Sequence, residues 1–209
     1  MPDRKGAPTE ITAAQVKALR ERTGAGIIDC RNALAECAGD VEKAVQALRA
    51  KGLAAAAKRT GRVANDGIVT SYIHAGGRLG VLVEINCETD FVARTEEFKT
   101  LARDIAMQIA ATDPRYISRE EIPADALDSE RAAYVAQAIA DGKPEAVAVR
   151  IAEGKLEKYF ATVCLLDQPF IRDEGAKART VGEVVHDAIS RTKENIKVRR
   201  FARFKLGEA

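Results

Sequence analysis

The amino-acid sequence predicts an α+β protein, with an N-terminal three-helix module followed by a helix-rich core that carries a small antiparallel sheet. Near the N-terminus, apolar residues recur at helical spacing in three short stretches that are separated by glycines. From residue 68 the apolar spacing changes to the period of two that is typical of strands, and helical spacing returns at residue 95. This order of patterns indicates two regions of different architecture.

Three segments precede the predicted sheet. Residues 1–8 contain two prolines and a glycine, which predicts a flexible tail. Residues 9–52 form the predicted three-helix module, and Gly52 is expected to end its last helix. Residues 51–62 contain four basic and no acidic residues, so we assign residues 53–66 as a basic linker, for which a helical conformation is open.

Capping patterns mark where several helices begin. Thr12 and Gln15 have the spacing of a capping box before the first helix, and Thr180 and Glu183 have the same spacing before the last. Asp40 is the expected N-cap of the third helix. The second helix is predicted over about residues 27–38.

Residues 67–209 form the predicted α+β core. Two strand patterns flank a Gly-Gly turn, which indicates a β-hairpin, and a closing strand alternates apolar even positions with basic odd positions. One face of that last strand is therefore expected to be buried and the other solvated. The predicted elements are strands at 68–74 and 79–86, a helix at 95–111, a helical hairpin at about 125–163 and a strand at 195–206.

Composition excludes several classes of protein. Lys and Arg number 33 against 31 Asp and Glu, and this near-balance argues against a protein that mainly coats nucleic acid. The polar N-terminus and the absence of a run of roughly 18 apolar residues argue against a secretion signal or a membrane helix. The four cysteines form no C-x-x-C pair, which favours a reducing, cytoplasmic location.

No catalytic motif is present in the sequence. Gly24 and Gly26 resemble the start of a dinucleotide loop but lack the preceding strand, and no P-loop pattern occurs. With two histidines, His74 and His186, no local spacing supports a zinc site. We therefore expect no cofactor, no metal and no enzymatic reaction, and a thiol enzyme that uses Cys87 is the weakest alternative.

The segment 87–92, CETDFV, lies where the second hairpin strand meets the next helix. An aromatic ring beside a carboxylate is unusual in such a corner. The residues alone favour a Phe91 ring folded into the core and a solvated Asp90 carboxylate.

Two longer strings, one of which contains this segment, resemble a known protein family. Residues 84–94, EINCETDFVAR, and residues 19–34, LRERTGAGIIDCRNAL, resemble the two signatures of the translation elongation factor Ts family. The resemblance continues at residues 168–170, QPF, and at residues 199–208, RRFARFKLGE. The matching strings therefore span nearly the whole chain in the family's order.

The resemblance implies a ubiquitin-associated-like N-terminal module and a dimerisation core at residues 67–209. It also implies the activity of a guanine-nucleotide exchange factor for elongation factor Tu. In the family, the aspartate and phenylalanine of the T-D-F-V string enter the GTPase near its magnesium site, which implies this role for Asp90 and Phe91. Thr89 and Val92 frame them. The helical module contacts the nucleotide-binding domain of the GTPase, which implies contacts at residues 27–29, Ile27, Ile28 and Asp29.

The sequence departs from the family pattern in two ways. Arg31 stands where the first signature usually has Lys, which keeps the charge. Longer family members carry two copies of the hairpin subdomain, whereas one is present here, so the chain resembles the short form and a homodimer is expected. His74 matches a partner-contacting histidine of the longer form.

A second functional class stays open beside the exchange factor. The basic residues of the predicted linker and of the last strand are compatible with a ribosome- or RNA-associated binding protein. The exchange-factor interpretation needs no direct nucleic-acid contact and no membrane.

Overall fold

The computed structural model describes residues 11–175 and 178–208, so the tail predicted at residues 1–8 lies outside the described residues. The α+β class is confirmed. The described helices are α1 (Ala13–Thr23), α2 (Ile27–Glu36), α3 (Val41–Ala57), α4 (Asp90–Ala93), α5 (Glu96–Thr112), α6 (Ala124–Ala140), α7 (Glu145–Val163) and α8 (Val181–Thr192), and the strands are β1 (Asp66–Ile73), β2 (Leu79–Cys87) and β3 (Lys197–Lys205).

The chain divides into two compact units. The first contains residues 11–62 and 186–195, and the second contains residues 63–185 without the two undescribed positions, together with residues 196–208. The first unit therefore includes the C-terminal part of α8 as well as α1 to α3.

The core of the first unit is small and aliphatic. Leu19 of α1 and the pair Cys30 and Leu34 of α2 are fully buried, and they pack with Ala44 of α3. The predicted capping box is confirmed, since the Thr12 N–H donates to Gln15 Oε1 at 2.9 Å and the Gln15 N–H donates to Thr12 Oγ1 at 3.2 Å.

The prediction that Gly52 ends the third helix is wrong, because α3 continues to Ala57. A Cβ at position 52 would lie 2.8 Å from the hydroxyl oxygen of Ser190. The glycine therefore allows close packing within the first unit, and the first part of the predicted linker at 53–66 is helical. The roles assigned to the segments 9–52, 53–66 and 67–209 stay predictions.

In the second unit the three strands form an antiparallel sheet in the order β1-β2-β3. The predicted hairpin is confirmed, and Gly76 and Gly77 both have positive φ in its turn. Helix α5 packs against β1 and β2, and its buried Phe98, Ile105 and Ile109 lie on the face that the sequence predicts. One face of the sheet thus belongs to the core.

The prediction of one apolar and one basic face along β3 fails at a β-bulge. Ile85 pairs with Val198 and Glu84 pairs with Arg200, so Arg199 is an extra residue. Because an extra residue shifts the alternation by one position, every side chain beyond the bulge changes face. Phe201 and Arg203 therefore lie opposite the buried Val83 and Val81, and the apolar even positions from 202 onward lie on the solvent face.

The helical hairpin predicted at 125–163 is confirmed as α6 and α7. Buried Ala148 and Ala152 of α7 and Ala138 of α6 allow the two helices to approach closely. At the base of the hairpin the Arg119 guanidinium lies 4.3 Å from the centre of the Phe160 ring.

A buried amide links α5 to the loop after α7. The Gln108 side chain donates to Gln168 Oε1 at 3.2 Å and to the Pro169 carbonyl at 3.1 Å, and it accepts a hydrogen bond from the Ile171 N–H at 2.9 Å. The string at residues 168–170 therefore has a structural role, because it satisfies a fully buried side chain.

Candidate functional site: the corner at residues 87–95

Two helix caps and a thiol hydrogen bond hold the corner between β2 and α5. Cys87, the last residue of β2, is buried, and its thiol donates to the Thr89 carbonyl at 3.2 Å. Thr89 has an extended backbone and accepts a hydrogen bond from the Val92 N–H, which starts α4. Thr95 donates to the Val92 carbonyl at 2.8 Å and caps α5 through the Phe98 N–H. The main chain of the corner is thereby held at both ends.

Packing against the sheet also holds this corner in place. Ala93 is buried, and α4 packs against both β1 and β2. The four-residue α4 thus has a side that faces the core and a side that faces solvent.

The expectation that the Phe91 ring folds into the core is wrong. Its side chain is 79% exposed. Ala93 takes the inward position of α4, so the ring two residues earlier points outward. Large exposed aromatic side chains on a rigid support are typical of binding hot spots.

The Asp90 carboxylate is partly exposed and has a partner of its own. Its Oδ2 atom lies 2.8 Å from Arg94 Nη2, in an i,i+4 ion pair across α4. The sequence analysis did not predict this ion pair. An acidic residue four positions before a basic one on a helix is the available signal, and it is present in the string DFVAR.

The structure does not bring His74 to the corner. Asp66, at the start of β1, pairs with Cys87, whereas His74 follows the other end of that strand. At about 3.3 Å per residue, eight residues of β1 separate the two places by roughly 25 Å. His74 is exposed at the hairpin turn, and its Nδ1 atom lies 3.1 Å from the Tyr72 hydroxyl.

The residues predicted on the helical module lie together at the start of α2. Ile27 and Ile28 are exposed, the latter to 76%. Asp29 Oδ1 lies 2.7 Å from Lys51 Nζ, and this hydrogen bond lowers the pKa of the Asp29 carboxyl. An exposed apolar pair beside a fixed charge pair is an arrangement suited to protein contact.

The solvent face of the sheet is a second apolar surface, which we call the outer sheet face. Its exposed apolar side chains come from all three strands and the residue after β3, and they adjoin a groove of about 590 Å³. The sequence analysis did not predict this surface, because the alternation of residues along β3 placed its apolar end in the core. The outer sheet face comprises Val69, Ile73, Leu82, Phe204 and Leu206, with Phe204 exposed to 70%.

Among residues 11–175 and 178–208, no group of three or more His, Cys, Asp or Glu side chains is arranged to hold a metal ion. Cys87 is occupied with the hydrogen bond inside the corner, which gives no support to the thiol-enzyme alternative. None of the described helices is both long enough and apolar enough to cross a bilayer.

Comparison with known proteins decides the family. A family model described as elongation factor TS matches residues 35–208. The chain belongs to the elongation factor Ts family. It is 56% identical to the elongation factor Ts of Desulforamulus reducens over 199 residues, which are 95% of this chain and 90% of that protein. Over 198 residues it is 57% identical to the elongation factor Ts of Syntrophomonas wolfei and 56% identical to that of Caldanaerobacter subterraneus, covering 91% and 98% of those proteins.

Membership in the elongation factor Ts family confirms the resemblance on which the exchange-factor interpretation depends. The chain is a translation elongation factor. The individual roles of residues 27–29, His74 and residues 89–92 stay predictions.

Proposed function

We propose that this guanine-nucleotide exchange factor of the elongation factor Ts family acts on elongation factor Tu through the corner at residues 89–92. The observation that carries the proposal is the exposed Phe91 ring on a main chain that is hydrogen-bonded at both ends. Asp90 beside it supplies a carboxylate at the tip. No bond is made or broken in this activity, so the chain works as a binding protein and not as an enzyme.

Rigidity of the corner favours this use. A GTPase holds its nucleotide through Mg²⁺ and backbone groups around the phosphates. An apolar ring that enters beside that site disturbs it only if the ring does not yield, and a corner that is ordered before binding loses little conformational entropy in the complex. The caps at Thr89 and Thr95 meet this requirement.

Exchange then follows from linkage. A factor that binds the empty GTPase more tightly than the loaded one lowers the affinity for nucleotide by the same ratio. The exposed Ile27 and Ile28 of α2 are suited to hold the GTPase while the corner acts, and the hydrogen bond from Lys51 lowers the pKa of the Asp29 carboxyl beside them. In this arrangement α2 binds the GTPase, and the corner displaces its nucleotide. A translation factor with this partner is expected in the cytoplasm.

The rate of release of fluorescent GDP from elongation factor Tu tests the corner. Phe91→Ala is expected to slow factor-stimulated release about tenfold or more, because it removes an exposed aromatic contact without opening a cavity. Ile139→Ala, which truncates an exposed apolar side chain on α6, is the matched control and should leave release unchanged. Equal rates for wild type and Phe91→Ala, with the fold intact by circular dichroism, would refute the role of the corner.

We also propose a homodimer that forms through the outer sheet face. Most apolar side chains of this face lie toward the hairpin turn, and the Glu84–Arg200 ion pair lies beside Val69 nearer the other end. A twofold axis pairs a surface with itself, so such a face suits a second copy of the chain. The second hairpin subdomain of longer family members is absent here, and the second copy would supply it.

Sedimentation velocity tests the dimer. The wild-type chain is expected to sediment as a dimer, and Phe204→Asp is expected to give monomers, because it places a charge in the apolar row. Val149→Asp on α7, which adds the same charge at another exposed position, should keep the wild-type state. A wild-type chain that stays monomeric at micromolar concentrations would refute the dimer and leave the role of the corner intact.

A further inference from the structure

Arg94 is fixed relative to Asp90 by two separate contacts. Its N–H donates to the Asp90 carbonyl at 3.1 Å, and its guanidinium lies 2.8 Å from the Asp90 carboxylate. The residues on either side of Arg94 are also held, since Ala93 is buried and Thr95 caps α5. The guanidinium therefore extends from an anchored base toward one particular carboxylate.

The acidic side chains around the Asp90–Arg94 ion pair indicate what the pair does. Residues 88–97 contain four acidic side chains, and Arg94 is the one basic residue among them. The partner site at which the corner acts contains a nucleoside diphosphate, whose phosphates repel an approaching carboxylate. A guanidinium beside Asp90 offsets its charge at the point nearest to Phe91.

Conformational freedom is the second consideration. The Asp90 side chain is at the solvent-facing edge of α4, and an unpartnered carboxylate there would sample several rotamers. Ordering such a side chain on binding costs free energy that a side chain already held does not lose again. The ion pair thus orders Asp90 before the partner arrives.

We propose that Arg94 is a positioning residue for nucleotide exchange, which holds the Asp90 carboxylate beside Phe91 in its binding orientation. The proposal rests on the proposed function of the corner and assigns Arg94 no contact with the nucleotide. Arg94 acts through Asp90, and its effect therefore disappears when Asp90 is absent.

A double-mutant cycle on factor-stimulated GDP release tests this. Arg94→Met, which keeps the length of the side chain and removes its charge, is expected to slow release about two- to fivefold, the range that exposed ion pairs support. Arg94→Lys should retain most of the wild-type rate. In an Asp90→Ala background, Arg94→Met should cause no further loss.

Lys99→Met is the matched control, because it breaks the neighbouring exposed ion pair to Glu96 at the start of α5 and should leave release unchanged. An equal loss from Arg94→Met with and without Asp90 would overturn the proposal, since Arg94 would then contact the partner itself. An unchanged rate for Arg94→Met would overturn it as well, and losses from Phe91→Ala and Asp90→Ala would still support the corner. If those two variants also exchange at the wild-type rate, the proposed role of the corner fails together with the role of Arg94.

Discussion

Gly67→Ala is expected to destabilise the sheet at the point where it supports the corner. Gly67 is the second residue of β1, pairs with Asn86 and has a φ of 145°, a conformation that side chains with a Cβ rarely adopt. A Cβ at this position would lie 2.1 Å from the Ile85 carbonyl oxygen and 2.7 Å from the Asn86 Cα. Both obstacles are backbone atoms, so β1 and β2 must move apart.

The expected loss follows from these contacts. Backbone strain of this kind costs on the order of 1–3 kcal/mol, and weakening a ladder hydrogen bond adds about 1 kcal/mol. We expect the free energy of unfolding to fall by about 2–4 kcal/mol, which corresponds to a Tm lower by roughly 5–15 °C for a chain of this length. Because Asn86 immediately precedes Cys87, GDP release should slow as well.

Thermal unfolding followed by circular dichroism measures the effect. Gly154→Ala is the matched control, because this glycine lies inside α7 and a Cβ there meets nothing within 4 Å. Alanine is the better helix former, so this variant should gain up to about 1 kcal/mol. Equal Tm values for Gly67→Ala and the wild type, or equal losses for both glycine variants, would refute the reasoning from backbone contact.

Three further predictions concern single contacts. Gln108→Leu should lower the free energy of unfolding by about 2–4 kcal/mol in urea titrations, because the Pro169 carbonyl and the Ile171 N–H lose their side-chain partner. Thr180→Ala removes the hydroxyl that caps α8 and should cost about 1 kcal/mol in the same assay. The hydrogen bond from Lys51 lowers the pKa of Asp29 below 3.8, so their pair stabilises the fold above that pH and its contribution is lost as the pH falls through the lowered pKa. Lys51→Met should return the Asp29 pKa toward its ordinary value, which carboxyl chemical shifts in an NMR titration measure.

Local sequence signals predicted the elements of this fold well. The capping boxes at Thr12 and Thr180 are present as hydrogen bonds, and the Gly-Gly turn joins the predicted hairpin strands. The apolar face of α5 is buried where its spacing indicates. These features depend on hydrogen bonds or spacings within a few residues, so the sequence contains all the information that they need.

The errors have a common physical origin, because each depends on residues that are distant in the chain. Gly52 resembles a helix terminator in sequence, but the side chain it accommodates is that of Ser190. The bulge at Arg199 is defined by its partner strand and reverses the faces of everything after it. Phe204 therefore lies on the outer sheet face and not in the core, where the sequence predicted it.

The corner at residues 87–95 shows the same division between sequence and structure. The sequence by itself determined that a strand ends near residue 86, that a helix begins near Thr95 and that the string between them matches the elongation factor Ts family. Only the tertiary structure decided that Phe91 is exposed, because the inward position on α4 went to Ala93 against the sheet. Packing between elements that are distant in sequence determines which side chain is buried. A local pattern of residues therefore does not predict it.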